Sequence, residues 1–378
     1  VGLDLSPLEP IHVGFTNCYA IDTGDGIALI DTGTNTTEHW DLLIAGLTQR
    51  GYGIKDVRWL ALTHAHLDHS GLANRVKEAS HAEILIHEDE AFFLREGGTQ
   101  WHNNGENFDR LFLAHGLSRE IIDWYDRQGR RSGWGRNWKN QPELFERNPE
   151  HSVNWDLIRA SDDALAVRVG LVETHHHAPL HRHRDDDADA WRPTRIEPDR
   201  TFTDGEILDL GKLQLRAIHT PGHTPGHACF YHEESRILFT GDHILKRITP
   251  HPGIYFLQNQ YGKRTKSLPM YIRSLLRVRD LPCSRVLAAH EGEMNNIEFA
   301  VDRIVSHHER RARTAMRAVR LGRQTTFEVL PLLFPHLRAF ALTPAMGETV
   351  GHLDLLEEQG QVQCRLEDEL YKYRPVGD

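Results

Sequence analysis

Residues 63–71 read Thr-His-Ala-His-Leu-Asp-His-Ser-Gly and follow directly on an apolar run, Val57–Leu62. The run predicts a buried strand, so His64, His66, Asp68 and His69 emerge together at a strand-to-loop turn. Imidazole nitrogens and a carboxylate are the donors that borderline-soft divalent metals, zinc above all, prefer. One tetrahedral ion cannot take all four side chains from so short a stretch. The spacing therefore predicts that the His-x-His pair faces one ion and the Asp-His pair a second ion beside it. The chemistry this points to is hydrolysis by hydroxide made at a two-metal centre.

The 378 residues allow a large core plus an appendage. A net charge of -10 argues against general affinity for nucleic acid. Cys18, Cys229, Cys283 and Cys364 are scattered, with no C-x-x-C spacing, and read as small buried residues in a reducing compartment. No apolar stretch approaches the ~20 residues needed to cross a bilayer, and no basic region precedes an apolar core at the N-terminus. A cytoplasmic protein with no membrane partner is expected.

The first ninety positions alternate strands and helices, which predicts an α/β architecture. Strands are expected at Thr16–Ile21, Ile27–Asp31, Val57–Leu62 and Ile84–His87, and helices at Thr37–Arg50 and Leu72–Ala79. Residues 92 to about 200 break the rhythm and read as an insertion. It holds a helix at Leu111–Tyr125, a Trp/Arg stretch at 130–139 and a histidine run from His175 to His183. Strands return at Leu213–His219, Ala228–Tyr231, Ile237–Thr240 and Val286–Ala289. From residue 296 the pattern is helical: Ile297 to about Leu321, Phe327–Leu333 and Val350–Gln359, then a turn and strand. This divides the chain into 1–295 and a small second domain, 296–378.

Three of the later strands end in a His or Asp beside glycine: His-Thr-Pro-Gly-His after Leu215, Phe-Thr-Gly-Asp after Ile237, and Ala-Ala-His-Glu-Gly after Val286. Strand ends along one rim can gather distant residues in one cleft. They add His223, Asp242 and His290, making five His and two Asp in all. His219 and His227 flank His223 at four residues on either side and compete with it as donors; both are also candidates to support it.

With these residues in place the chain resembles the metallo-β-lactamase superfamily over residues about 11–91 and 200–295. The Thr-Pro-Gly-His repeat looks most like the glyoxalase II and lactamase-like protein 2 branches, and the C-terminal domain is similar to the winged-helix-like appendage of the latter. The resemblance implies a four-layer αββα sandwich, with His64, His66 and His223 on the first metal, Asp68, His69 and His290 on the second, and Asp242 bridging. Asp31 matches an aspartate that supports the histidine loop without ligating. Two departures are plain: Ala-Ala-His-Glu-Gly stands where Gly-His-Gly is usual, and the long insertion lies outside the minimal pattern.

Two divalent cations are thus expected, zinc first, with iron or manganese as alternatives, and Asp68 is expected to orient the hydroxide. Cleavage of a thioester or related small ester in a small-molecule acyl substrate is the leading function, since no G-x-S-x-G is present and thiolates suit zinc. The alternatives are a ribonuclease or phosphodiesterase using the same metals, a metal-dependent DNA-binding sensor, and a mononuclear iron persulfide dioxygenase. The helix 303–323 carries seven Arg against one Glu, which fits a nucleic-acid partner less well than a solvated face. Tyr255 is a candidate substrate-polarising hydroxyl, and a homo-oligomer is compatible with the composition.

Overall fold

The computed structural model describes residues 5, 8–97, 105–122, 195–256, 264–335, 337 and 342–377. The Trp/Arg stretch at 130–139 and the histidine run at 175–183 lie outside them. The chain divides into two compact units. Among described residues the first holds 5, 8–97, 195–250 and 270–305, and the second holds 105–122, 251–256, 264–269, 306–335, 337 and 342–377.

The first unit contains two sheets. β1 (Ile11–Val13), β2 (Thr16–Asp22), β3 (Ile27–Ile30), β4 (Val57–Ala61), β5 (Glu83–His87) and β6 (Arg200–Phe202) lie side by side in chain order. β1 to β3 pair antiparallel and β3 to β6 parallel. The second sheet runs β11-β10-β9-β8-β7, from β7 (Ile207–Leu210), β8 (Leu213–His219), β9 (Ala228–His232), β10 (Ile237–Gly241) and β11 (Arg285–Ala288). Its pairs are antiparallel except β10 with β11. β3, β9 and β10 are buried at every position, which is why they read as unbroken apolar runs. One core joins the sheets, with Ile21, Ile30, Leu85 and Phe202 from the first and Leu215, Phe230, Phe239 and Leu287 from the second.

Helices cover the first sheet. α1 (Thr37–Gln49) starts where the Thr36 hydroxyl accepts the His39 N–H, and it buries Leu43 and Leu47 at helical spacing. α2 (Leu67–Ser70) is one turn inside the histidine loop; α3 (Ala73–Ser80) and α4 (Glu88–Arg95) pack on β4 to β6. α6 (Ser267–Val278) lies against the loops of the second sheet, where Tyr271 Oη donates to His243 O and Ser274 Oγ to Pro221 O.

The second unit has its own core. α5 (Gly105–Ala114) supplies Phe108, Leu111 and Phe112, which pack with Leu330 of α8 (Thr326–Leu333) and with Leu342 and Met346 of α9 (Leu342–Glu358). α7 (Ile297–Arg320) contributes its residues from 306 onward, and β12 (Val362–Glu367) pairs with β13 (Leu370–Pro375) in a two-stranded sheet.

Sequence and structure differ in several helices, and the short strands β1, β6 and β7 are not among those expected. The helix expected over Leu111–Tyr125 begins earlier and breaks after Ala114, where Gly116 takes a left-handed turn at φ +92°; residues 119–122 are helical again. α9 starts eight residues before the expected Val350: Gly347 looks like a breaker, but it lies against the side chain of Ile254. α4 and α6 were not expected at all. No helix of the described residues is long and apolar enough to cross a membrane.

Candidate metal centre

All seven side chains singled out above lie in the first unit, at the ends of strands or on the helical turn α2. β4 delivers His64 and His66, α2 delivers Asp68 and His69, and β8, β10 and β11 deliver His223, Asp242 and His290. His66 Nδ1 stands 3.0 Å from His64 Nε2 and 3.1 Å from His223 Nε2. Those three residues form one group capable of holding an ion. Asp68, His69 and His290 form a second. His290 Nε2 is 3.4 Å from Asp68 Oδ2, and His69 Nε2 is 3.6 Å from the same oxygen. Asp242 stands between them: its Oδ2 is 3.5 Å from both His223 Nε2 and His69 Nε2, and its Oδ1 is 3.2 Å from His290 Nε2.

Hydrogen bonds orient three of the rings, those of His69, His64 and His290. Asp31 accepts from the Thr63 N–H at 2.9 Å, from the Thr63 hydroxyl at 2.8 Å and from His69 Nδ1 at 2.9 Å. In its neutral form His69 therefore turns the Nε2 lone pair towards Asp68 and Asp242. With its proton given to Asp31, the Thr63 hydroxyl can only accept from His64 Nδ1, at 3.1 Å, so His64 Nε2 is bare as well. His290 Nδ1 donates to Phe15 O at 2.9 Å, leaving its Nε2 to face the two aspartates. Imidazoles oriented by a bond from the far nitrogen are the usual arrangement around a metal. Asp31 thus serves both groups.

Charge divides the groups. Burial pushes His66 down to about 3 and His64 well below the ordinary imidazole range, helped by neighbouring imidazoles. Burial acts the same way on His69, but Asp68, Asp242 and Asp31 more than reverse it, to about 10. His290 is likewise raised against its burial by Asp242 and Asp68. Buried carboxylates that draw protons onto buried imidazoles mark a place that wants positive charge. His69 Nε2 and Asp242 Oδ1 are fully buried without a hydrogen bond, an arrangement costly unless something else binds there. The donor set, nitrogen and carboxylate oxygen, fits zinc or a similar divalent cation.

His227 and His219, the competing donors, do other things. His227 Nε2 accepts the Asp242 N–H at 3.2 Å and its Nδ1 donates to Thr220 Oγ1 at 2.9 Å, so it holds the Asp242 backbone. His219 Nε2 donates to Pro225 O and its ring stacks on His87 at 4.1 Å. Gly241 is needed here: at φ +49° a Cβ would sit 2.7 Å from Thr63 Oγ1 and 2.8 Å from His227 Nε2. Tyr255 belongs to the second unit, where its carbonyl accepts the Thr265 N–H.

Sequence reasoning missed Glu90 and Asn17. Glu90, fully buried, accepts from Ala65 N and Gly226 N. Asn17 Nδ2 donates to Ala288 O and Glu291 O on either side of His290. Both look like ordinary polar residues of a helix start and a strand, and only the tertiary fold gives them these partners.

Two other groups have metal-like composition. In His87, Asp89 and His219 the two rings stack only 15° from parallel, so their lone pairs run side by side without converging. In His307, His308 and Glu348 of the second unit, Arg311 already supplies the cation, with Nε donating to His307 Nε2 at 3.1 Å and lying 3.1 Å from Glu348 Oε1.

The profile of the metallo-beta-lactamase superfamily matches residues 12–189 and 158–290, and that of the metallo-beta-lactamase-like C-terminal domain matches 313–376. A probable metallo-hydrolase of Bacillus subtilis, YqjP, is 24% identical over 351 residues, covering 93% of this chain and 90% of that protein. The atrochrysone carboxyl ACP thioesterase AgnL7 of Paecilomyces divaricatus is 27% identical over 180 residues, 44% of this chain and 52% of its own. Among solved structures, the metallo-beta-lactamase family protein TTHA1429 of Thermus thermophilus superposes with a TM-score of 0.65 at 25% identity, covering 98% of this chain and all of that one. The fold is the metallo-β-lactamase fold, and the chain belongs to the metallo-beta-lactamase superfamily.

Proposed function

We propose that this metallo-hydrolase is dinuclear and cleaves an acyl bond, that of a thioester or a related small ester. One observation carries the reading: two donor groups, three imidazoles on one side and Asp68, His69 and His290 on the other, meet at a single carboxylate, Asp242. His64, His66 and His223 would hold one ion, Asp68, His69 and His290 the other, with Asp242 shared; zinc suits the donors best. Such a pair, when bound, supplies a water acidified towards neutrality and Lewis acidity for a carbonyl.

The chain's own residues do the rest. Asp68 is the most open of the carboxylates, its side chain 24% exposed, and its Oδ2 is placed to accept a proton from the attacking water and aim it. Asp31 keeps His64 and His69 in their ligating tautomers, and His227 holds the backbone under Asp242. The cysteines offer no competing nucleophile, for burial pushes the Cys229 thiol up to about 12 and those of Cys283 and Cys364 up to about 11. The thioesterase among the relatives supports an acyl substrate. In the second unit, α8 and α9 followed by the β12–β13 hairpin support a winged-helix-like appendage of the lactamase-like protein 2 kind.

The test is metal content measured alongside turnover of a panel of thioesters, lactones and phosphodiesters. Two equivalents of divalent metal and thioester turnover insensitive to salt are expected. Phosphodiester cleavage that falls steeply with salt, as counterion release demands, would replace this reading with a nuclease; one iron per chain and oxygen uptake would replace it with the dioxygenase.

A further inference from the structure

We infer that Glu90 is a positioning residue for the three-histidine half of the centre alone, clamping together the two loops that carry His64, His66 and His223. The inference rests on the two-metal reading above. Ala65, whose N–H donates to Glu90 Oε2 at 2.9 Å, lies between His64 and His66. Gly226, whose N–H donates to Oε1 at 2.8 Å, closes the loop that begins at His223. One carboxylate thus spans both loops, using one oxygen for each.

The ordinary role of a glutamate at this place is different. Glu90 is the third residue of α4, where a carboxylate commonly reaches back to cap its own helix. Here that work falls to His87, whose side chain accepts the Asp89 N–H, and both Glu90 oxygens point to other segments. Nor is Glu90 there to satisfy a cation: among the described residues no Lys, Arg or His pairs with it. Its hydrogen-bond partners are the two backbone N–H groups. A fully buried carboxylate held without a cation is expensive to keep. The loops fit it closely, since a Cβ on Gly226 would lie 2.7 Å from Glu90 N.

A separate bond, Ala228 N to Thr63 O at 2.9 Å, already joins the same two segments at their strand ends. Glu90 acts further out, where the donors sit. The other half hangs on different anchors, Asp31 for His69 and Phe15 O for His290, and has no bond to Glu90. Loss of the clamp should therefore loosen one ion and spare its neighbour.

The experiment is titration of chelator-stripped wild type, Glu90→Gln and Glu90→Asp with Co²⁺, read by visible absorption, and with Zn²⁺ against a chromophoric chelator. In Glu90→Gln the amide must turn its NH2 towards one of the two N–H donors. Affinity at one site should drop about 10- to 100-fold, the range for residues that orient ligands, with a changed cobalt spectrum for that site and the second site as in wild type. Glu90→Asp keeps the charge but is one methylene short, and should fall between. Two sites unchanged in Glu90→Gln, or two sites weakened equally, would overturn the inference. Wild type that binds a single ion would refute the two-metal reading instead, and Glu90→Gln must then still weaken that ion if its cobalt spectrum is that of three histidines. Should Glu90→Gln not fold, Glu90→Asp carries the same comparison.

Discussion

The first unit's centre and the second unit's His/Glu cluster use the same kinds of side chain, but their charges are settled in opposite ways. Around His307, His308 and Glu348 the positive charge is covalently part of the chain: Arg311 touches His307 and Glu348, donates to Leu333 O and lies over the Phe334 ring at 4.3 Å. Around Asp68 and Asp242, no Lys or Arg among the described residues answers the carboxylates, and protons drawn onto His69 and His290 do so. A network completed by its own guanidinium has no need of an ion. One that borrows protons will exchange them for a stronger cation, and clusters of equal composition can be told apart on this basis.

The contrast breaks most readily at the centre itself. Replacing Asp242 with alanine removes the carboxylate both groups share, and turnover should fall to that of chelator-treated protein; activity near wild type would dissolve the distinction. Metal analysis of wild type should find no third equivalent, since Arg311 fills the second cluster. Arg311→Met should destabilise the fold by about 2–3 kcal/mol, below the ~3–5 kcal/mol of a fully buried pair because both partners keep some exposure, and urea unfolding would read it. A variant as stable as wild type would show that the guanidinium is dispensable.

Asp31→Asn tests the tautomers. An amide cannot accept from Thr63 twice and from His69 as well, so zinc affinity should fall about 10- to 100-fold with the fold retained; unchanged affinity would remove Asp31 from the scheme. The last effect expected is a gradual one, in pH. Burial holds His352 down at about 3, so the folded protein refuses a proton that the unfolded chain takes up near 6.5. The unfolded state binds more protons in that window. Stability is therefore full above about 6.5 and is lost as pH falls towards 3, by up to about 1.4 kcal/mol per pH unit for this group. His352→Gln in chelator should flatten the slope; an unchanged slope between pH 4 and 6 would place the titration elsewhere.

The site was more legible in the sequence than its supports. His64 to His69 sit behind a strand at a spacing that chance rarely produces, and His223, Asp242 and His290 each follow an apolar run next to glycine. Glu90 and Asn17 carry no such mark, because their partners are backbone groups brought close only by tertiary packing. Likewise β3, β9 and β10 announced themselves as apolar runs, while three-residue strands such as β1 and β6 are too short for a periodic signal. In the second unit Pro344 and Gly347 hid the first half of α9, since local propensity counts both as breaks.

Phe108, Leu111 and Phe112 complete their packing with Leu330, Leu342 and Met346, and the whole second sheet is synthesised in between. During translation this early helix must wait, its aromatic face uncovered, until the ribosome has nearly finished, a long-range closure of the kind that slows folding and invites aggregation. Cutting the chain at residue 295 would consequently strip Leu330, Leu342 and Met346 from that face and leave α5 to pack on Phe256 and Ile254, and the shortened protein should need a chaperone or a replaced α5 to stay in solution.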